Sequence, residues 1–242
     1  MRTTPKFTPA LKNSITRDWR NHFPSLGVYK PMRLLKRHGP ILIGVALDIT
    51  GSNDRYIPTF HIHNLIRPFP CVGLALRHVV PGKRVPQLDR EIKIDMHAEE
   101  YCDAIEFLKH VAPELGFSVL GWPFVIAMYS KYVRQKRDYN IAKYCSNIFA
   151  EVILLARWCG HEDYARRCYD EALGLMRQWN PPIDLAEWQA GVDALTTREQ
   201  LNEVLESEIV KHKLQHIPVY GFDPGGTAES ITQAYVESWA SP

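Results

Sequence analysis

The stretch PILIGVALDITGSNDRYIPTFHIHNL, residues 40–65, decides the class of fold. Its first part, residues 40–50, is dominated by Ile, Leu and Val, a composition that favours a β-strand. Residues 51–54, Gly-Ser-Asn-Asp, have the composition of a turn. After this turn, side chains of different character alternate over residues 55–65, as they do along a strand. The stretch therefore predicts two strands joined by a short turn.

The segments on either side extend this pair into a small sheet that a helix covers. Residues 27–39 and 71–80 also have the composition of strands, and Pro31 restricts the first of them to an edge or a bulge. Short loops between consecutive strands favour an antiparallel sheet of three to four strands. Ahead of the sheet, residues 7–23 carry one apolar stripe with helical spacing, made of Leu11, Ile15, Trp19 and Phe23.

Downstream of the sheet the pattern becomes helical. Apolar residues recur at helical spacing over residues 98–112, 121–133, 139–159, 161–179, 185–195 and 198–212, and a terminal helix is predicted over 227–239. Thr196 or Thr197 is expected to cap the helix that follows it. Residues 218–226, PVYGFDPGG, predict a loop. The predicted fold is therefore α+β, with an N-terminal helix packed on an antiparallel sheet and an all-helical C-terminal half.

The two halves of the chain differ in charge. Residues 1–97 carry 16 Lys and Arg against 6 Asp and Glu, whereas residues 98–242 carry 13 against 21. This difference predicts a basic α+β region over residues 1–95 and an acidic helical region over residues 96–242. Because no linker rich in Pro, Gly or Ser separates them, the alternative is one compact domain. The positive charge of the first region either binds an acidic partner or attracts the acidic second region.

The composition is that of an ordinary soluble protein. Five cysteines without a CxxC pair or a framework spacing indicate a reducing compartment, so a cytoplasmic location is expected. The first residues lack the apolar core of a signal peptide. The longest apolar runs, PILIGVAL and FAEVILLA, are far shorter than the roughly 20 residues of a membrane span, and Glu151 interrupts the second. No membrane association is therefore predicted.

Two histidines two positions apart raise the question of a metal site. On a strand, His61 and His63 point to the same face, about 7 Å apart along the chain. A third ligand from a neighbouring strand, such as His78 or Asp48, would complete a metal site. The alternative is a polar, solvent-facing stripe, or imidazoles hydrogen-bonded to loops. No motif such as HExxH accompanies the pair, so the second interpretation is favoured.

A second candidate for chemistry lies in LDREIKID, residues 88–95. Glu91 and Lys93 form an E-x-K pair on an extended segment, which resembles the pair in nucleases of the PD-(D/E)xK type. That resemblance implies a carboxylate that binds a metal and a lysine that orients water or stabilises charge. Asp48 would be the acid that such nucleases take from a preceding strand. The alternative is an exposed edge strand with alternating charges.

Basic residues of the N-terminal region are candidates for contacting the phosphates of a nucleic acid. They come from a predicted helix, from predicted strands and from loops, so the sequence does not place them on one face. No known nucleic-acid-binding motif accompanies them. The candidate binding residues are Lys12, Arg17, Arg20, Arg33, Lys36, Arg37 and Arg67.

The segment around residues 145–182 resembles one hairpin of a tetratricopeptide repeat. Gly160, Ala165, Tyr169 and Ala172 occupy the spacing that this motif uses for its turn glycine, its two small packing residues and an aromatic residue. One small position of the first helix departs from the motif, and no second copy appears at the same period. Because a repeat array needs several copies, the resemblance implies a single helical hairpin and a surface for protein interaction.

The sequence contains neither a nucleotide-binding motif, such as a Walker loop or GxGxxG, nor the GxSxG motif of a nucleophilic serine. The sequence therefore predicts no cofactor and favours a non-catalytic cytoplasmic protein that binds a protein partner, of the immunity, antitoxin or adaptor type. One alternative is a metal-dependent nuclease or phosphodiesterase that uses Asp48, Glu91 and Lys93, with His61 and His63 assisting. The other is a nucleic-acid-binding factor without catalysis. The oligomeric state is left open.

Overall fold

The computed structural model describes residues 6–72, 76–82, 89–136, 142–179 and 183–225. An N-terminal helix precedes a mixed sheet of several strands, and helices dominate the C-terminal half. The content is 52% helix and 22% strand. The prediction of an α+β fold is therefore confirmed.

The N-terminal helix, α1 (Pro9–His22), begins where the sequence provides a cap and a suitable first residue. The Thr8 hydroxyl accepts a hydrogen bond from an amide of the first turn, and proline at the first helical position needs no amide partner. Three residues of the predicted apolar stripe, Ile15, Trp19 and Phe23, are buried, whereas Leu11 is partly exposed. The Trp19 ring lies 6.4 Å from that of Tyr56 on the sheet. The helix thus packs on the sheet as predicted.

The predicted strands are present, and one of them is a hairpin. Residues 27–39, predicted as a single strand, form β1 (Gly27–Lys30) and β2 (Arg33–His38), which pair antiparallel. Met32 lies in the turn between them with a φ of 70°, in the left-handed region. The strands that follow are β3 (Ile41–Ile49), β4 (Arg55–Asn64), β5 (Leu76–Val79), β6 (Ile92–Lys93) and β7 (Val119–Gly121).

A last strand, β8 (Val219–Asp223), changes the topology of the sheet. It lies where the sequence predicts a loop, and it pairs parallel with β2, with Val219 opposite Arg37 and Tyr220 opposite His38. The order of hydrogen-bonded strands is β5-β4-β3-β2-β8, with β1 also paired to β2 and β6 paired to β4. The sheet is therefore mixed rather than antiparallel, and the C-terminal half is not entirely helical.

The remaining helices begin and end close to the predicted positions. They are α2 (His97–Val111), α3 (Trp122–Lys136), α4 (Ala142–Cys159), α5 (Glu162–Trp179), α6 (Leu185–Asp193) and α7 (Arg198–Lys211). Of the two candidate threonines, Thr197 caps α7 through a capping box with Gln200, and Asp184 caps α6. Among the helices that the structure describes, none is both long and apolar enough to cross a membrane. The helix predicted over residues 227–239 lies outside the described residues.

The hairpin that the tetratricopeptide resemblance implies is formed by α4 and α5. Gly160 follows α4 with a φ of 83°, a conformation that glycine adopts without strain. Ala165 and Ala172 are buried, as small residues between packed helices are. Tyr169 lies toward α6, where its hydroxyl donates a hydrogen bond to Asp193.

The chain divides into two compact units. The first comprises Met1–His63, Gly73–Ser118 and Lys213–Gly221, and the second comprises Asn64–Val72, Val119–His212 and Phe222–Pro242. The acidic α2, which follows the predicted boundary at residue 95, therefore belongs to the first unit. The first unit carries 17 Lys and Arg against 11 Asp and Glu, and the second carries 12 against 16. The resulting formal charges, +6 and −4, differ less than those of the two predicted regions.

Candidate functional site

The two histidines of β4 lie in the protein interior. His61 has no exposed surface and His63 is 6% exposed, so the expectation of a solvent-facing stripe is wrong. The strand is buried along most of its length, and an alternating pattern therefore does not mark a solvent face here. Neither ring nitrogen of His61 has a hydrogen-bond partner among the described residues. Burial lowers the pKa of His61 to about 3, with Arg33 and His63 adding to the effect, so its ring is neutral near pH 7.

The acidic residues considered for a nuclease are each held by an arginine. Asp48 lies 3.7 Å from the Arg33 guanidinium group. Glu91 lies 2.7 Å from the guanidinium group of Arg55. Lys93 is exposed and is the partner of Arg55 in the pairing of β4 with β6. Over the described ranges, the structure contains no group of three or more His, Cys, Asp or Glu side chains that could hold a metal ion.

Lys36 has the most unusual surroundings of the basic residues considered for nucleic-acid binding. It is fully buried, and its ammonium group donates a hydrogen bond to the Phe117 carbonyl oxygen over 2.7 Å. Burial lowers the pKa of Lys36 to about 8, although the charge of Glu114 opposes the shift. The ammonium group also lies 5.0 Å from the centre of the Tyr220 ring on β8. Lys36 therefore contributes to the attachment of β8 and does not reach a ligand at the surface.

The other basic residues lie on different elements of the fold. Three of them lie on α1 and are exposed or half-buried: Lys12, Arg17 and Arg20. Arg33 and Arg37 point to the face of β2 opposite Lys36, because side chains alternate along a strand. Arg67 belongs to the second unit. The seven basic residues thus differ in their burial and in the elements that carry them.

In the first unit, a hydroxyl group, an imidazole and a carboxylate are connected by hydrogen bonds in the same order as in a catalytic triad. The hydroxyl group, however, is not accessible to solvent. The Trp19 indole donates to the Tyr56 hydroxyl over 3.2 Å, and this hydroxyl lies 2.7 Å from Nδ1 of His97. On the other side of the imidazole, Nε2 lies 3.1 Å from a carboxylate oxygen of Asp18. Tyr56 has no exposed surface, and burial raises its pKa. A substrate cannot reach this phenol. These hydrogen bonds therefore serve to fasten α1 and α2 to β4.

The second unit contains an open cleft between α4 and α6. Its volume is about 530 Å³, which lies within the roughly 300–1,000 Å³ of ligand-binding pockets. The apolar residues that line it are Pro68, Ala150, Leu154, Ile183, Trp188, Val192 and Leu195. The charged residues that line it are Arg67, Asp184 and Glu187. The cleft therefore offers both apolar and charged surface to a ligand.

The chain segment 64–72 forms one border of the cleft, and polar contacts hold this segment at both ends. At one end, the Asn64 side-chain amide donates to the Glu151 carbonyl oxygen over 3.2 Å. At the other end, the Phe69 ring stacks on His212 at a centroid distance of 4.4 Å, and the Phe69 carbonyl oxygen accepts a hydrogen bond from Lys211 over 2.6 Å. The middle of the segment, which lines the cleft, therefore has a fixed position.

Hydrogen bonds between α4 and α6 hold α6 in place, and each helix contributes a side chain that donates to the other helix. The Trp188 indole donates to the Ser146 carbonyl oxygen over 2.8 Å. The Arg157 guanidinium donates to the carbonyl oxygen of Val192 in the last turn of α6 over 2.6 Å, and to that of Leu195, just past the helix, over 3.1 Å. Gly191 leaves the α6 side of the cleft open, because an added Cβ there would meet no atom within 4 Å.

Charged side chains of both signs border the cleft. The Arg67 guanidinium donates to the Asn147 side chain over 3.0 Å and stays partly exposed. Asp184 and Glu187 are exposed at the start of α6. The Asp184 carboxylate accepts hydrogen bonds from two amides of the helix it caps, which leaves the Glu187 carboxylate to meet a ligand. The border can thus bind one charge of each sign.

A buried carboxyl group lies on α4 next to the residues that line the cleft. The Tyr129 hydroxyl donates a hydrogen bond to the Glu151 carboxyl group over 2.6 Å. Burial raises the pKa of Glu151 to about 7, although Tyr129 and Arg67 oppose the shift. Burial also raises the pKa of Tyr129. The Glu151 carboxyl group is therefore part protonated at neutral pH.

We expect the replacement of Glu151 by glutamine to stabilise the protein at high pH only. The folded protein holds the Glu151 proton up to about pH 7, whereas the unfolded chain releases it near pH 4.5, so the wild-type protein loses stability as the pH rises between these values. Glutamine keeps an oxygen for Tyr129 and carries no charge. The free energy of unfolding should therefore rise by about 3 kcal/mol at pH 8 and stay unchanged at pH 4. Urea denaturation at both pH values checks this, with the exposed Glu206→Gln as control, and an equal effect at both pH values would contradict it.

The sequence patterns single out Arg67 but not the cleft that it lines. The walls of the cleft come from α4, α6 and the segment 64–72, which are far apart along the chain and share no motif. One local signal is present, because Glu151 interrupts the apolar run FAEVILLA. A carboxyl group in the middle of a buried helix needs a polar partner. Its presence in the sequence therefore indicates that other polar residues lie close to it in the fold.

The chain was compared with protein-family models, with curated proteins and with solved structures, and no match was found in any of the three.

Proposed function

We propose that the chain is a non-catalytic cytoplasmic binding protein that holds a short segment of a protein partner in the cleft between α4 and α6, in the manner of an immunity, antitoxin or adaptor protein. The cleft is the observation that carries the proposal, because it is open, about 530 Å³ in volume, and lined by both apolar and charged residues. The five cysteines are free, which supports a reducing compartment.

The apolar part of the cleft favours an apolar side chain of the partner. Four apolar residues of its lining keep exposed surface, since Pro68 is exposed and Ile183, Trp188 and Leu195 are partly exposed. Removing an apolar side chain of leucine size from water contributes about 1.5–3 kcal/mol. A partner segment with one such anchor would gain much of its affinity here, as central anchors do in other protein interfaces.

The shape and the border favour a polypeptide over a small metabolite. Sites for small molecules enclose most of the surface of their ligand. This cleft is open at Gly191, so a chain can enter and leave it. Arg67 and Glu187, with opposite charges, would bind polar groups of the segment and thereby set its direction.

The proposal is tested with a display library of random peptides about twelve residues long. Peptides selected on the wild-type protein should bind the Gly191→Trp variant at least tenfold more weakly, because the indole fills the open part of the cleft. Gly174→Trp on α5 is the matched control. An added side chain at Gly174 also meets no atom within 4 Å, but Gly174 does not line the cleft. Its affinity for the same peptides should stay within about twofold of the wild type.

Circular dichroism and urea denaturation establish that both tryptophan variants fold like the wild type. Enrichment of no peptide above a library selected on the bare support would overturn the proposal. Equal affinity of the selected peptides for Gly191→Trp and for the wild-type protein would also overturn it.

A further inference from the structure

A second groove adjoins the cleft and has a different chemical character. It has a volume of about 390 Å³ and is lined mainly by residues of α7. Pro68 and Leu195 line both the cleft and this groove. A chain that leaves the cleft across these two apolar side chains therefore enters the groove directly.

One face of α7 is directed at the groove. Gln200, Glu203, Val204 and Ser207 follow the spacing of three and four residues that places side chains on the same side of a helix. Val204 offers apolar surface, and Glu203 is exposed next to it. None of the residues that line this groove is basic. The groove therefore combines apolar contact with negative charge.

The second carboxylate of the groove, that of Glu208, is already neutralised. It is 3% exposed and lies 3.1 Å from the Lys211 ammonium group and 3.0 Å from Nε2 of His212. These contacts belong to the set that holds Phe69 in place. Glu203 is thus the acidic group of the groove that a ligand can reach.

Building on the proposed function, we infer that the partner segment extends from the cleft into this groove and carries a lysine or arginine that pairs with Glu203. An apolar side chain of the same segment occupies the cleft. A few residues span both sites, since an extended chain covers about 3.3 Å per residue. The pairing selects among apolar segments, because a segment with an acidic residue at this position meets a like charge.

Two charge-reversal variants test the inference with the selected peptides. Glu203→Lys and Glu206→Lys change the net charge equally and lie on the same helix, but only Glu203 lines the groove. The peptides should be enriched in lysine or arginine. They should bind Glu203→Lys at least tenfold more weakly than the wild type, and Glu206→Lys within about threefold of it. Peptides in which glutamate replaces the basic residue should bind Glu203→Lys at least tenfold better than the wild-type protein does.

The outcomes separate the two proposals. If Gly191→Trp blocks the peptides and both lysine variants weaken binding equally, the inference about the groove is overturned and the cleft remains the binding site. The absence of basic residues from the enriched peptides has the same consequence. If Gly191→Trp leaves binding unchanged, both proposals fail together.

Discussion

The Gly44→Ala variant is expected to lose about 3 kcal/mol or more of its free energy of unfolding. Gly44 lies on β3 opposite Leu35 of β2, within a run of buried residues. A Cβ at this position would lie 2.0 Å from the Leu34 carbonyl oxygen and 2.8 Å from a methyl group of Leu35. Because that oxygen belongs to the backbone of the neighbouring strand, rotation of a side chain cannot relieve the overlap, and β2 and β3 have to move apart.

Gly51→Ala is the matched control for this variant. Gly51 lies in the turn between β3 and β4, and an added Cβ there meets no atom within 4 Å. Its free energy of unfolding should stay within about 0.5 kcal/mol of the wild type. Urea denaturation followed by far-ultraviolet circular dichroism gives both values. Equal denaturation midpoints for the two variants would show that β2 and β3 do not approach as closely as described.

The second large effect concerns His61, which is expected to make the folded protein less stable in acid. The ring is neutral in the folded protein because its pKa is lowered to about 3, whereas in the unfolded chain it binds a proton near its ordinary pKa of 6.5. The unfolded state therefore gains a proton first as the pH falls, and stability decreases between these two values. From pH 7 to pH 4 the loss due to His61 amounts to about 3 kcal/mol. Below pH 3 both states are protonated and the loss levels off.

His61→Leu should abolish this part of the acid sensitivity. Leucine has no proton to bind, and it removes two buried ring nitrogens that have no hydrogen-bond partner in the described part of the chain. The decrease in stability between pH 7 and pH 4 should therefore be about 3 kcal/mol smaller in the variant than in the wild type. His110→Leu, at an exposed position on α2, is the control and should keep the full decrease. Parallel stability curves for wild type and His61→Leu would refute the explanation.

The elements that the sequence predicts correctly have their signal within a single segment. The apolar stripe of α1 and the run of Ile, Leu and Val in β3 each predict an element without reference to the rest of the chain. The turn at Met32 was missed because its left-handed φ occurs at a residue that rarely adopts it. β8 was missed because it contains Gly221 and precedes Pro224, and its parallel partner β2 is far away in sequence.

The site was harder to predict than the fold because burial depends on neighbours. His61 and His63 alternate with apolar residues, and this pattern is the same for a strand with one solvent face and for a strand buried on both faces. Glu151 is a visible interruption in an apolar helix, but its partner Tyr129 lies on another helix. The cleft likewise needs α4, α6 and the segment 64–72 together, so no single stretch of sequence contains it.

The parallel strand β8 has a consequence for the order of events during synthesis of the chain. β2 leaves the ribosome long before Val219 and Tyr220, the residues that pair with Arg37 and His38. The nascent first unit cannot complete its sheet until most of the second unit has been made. In this interval, part of β2 remains an unpaired strand edge, which can add a strand from another molecule.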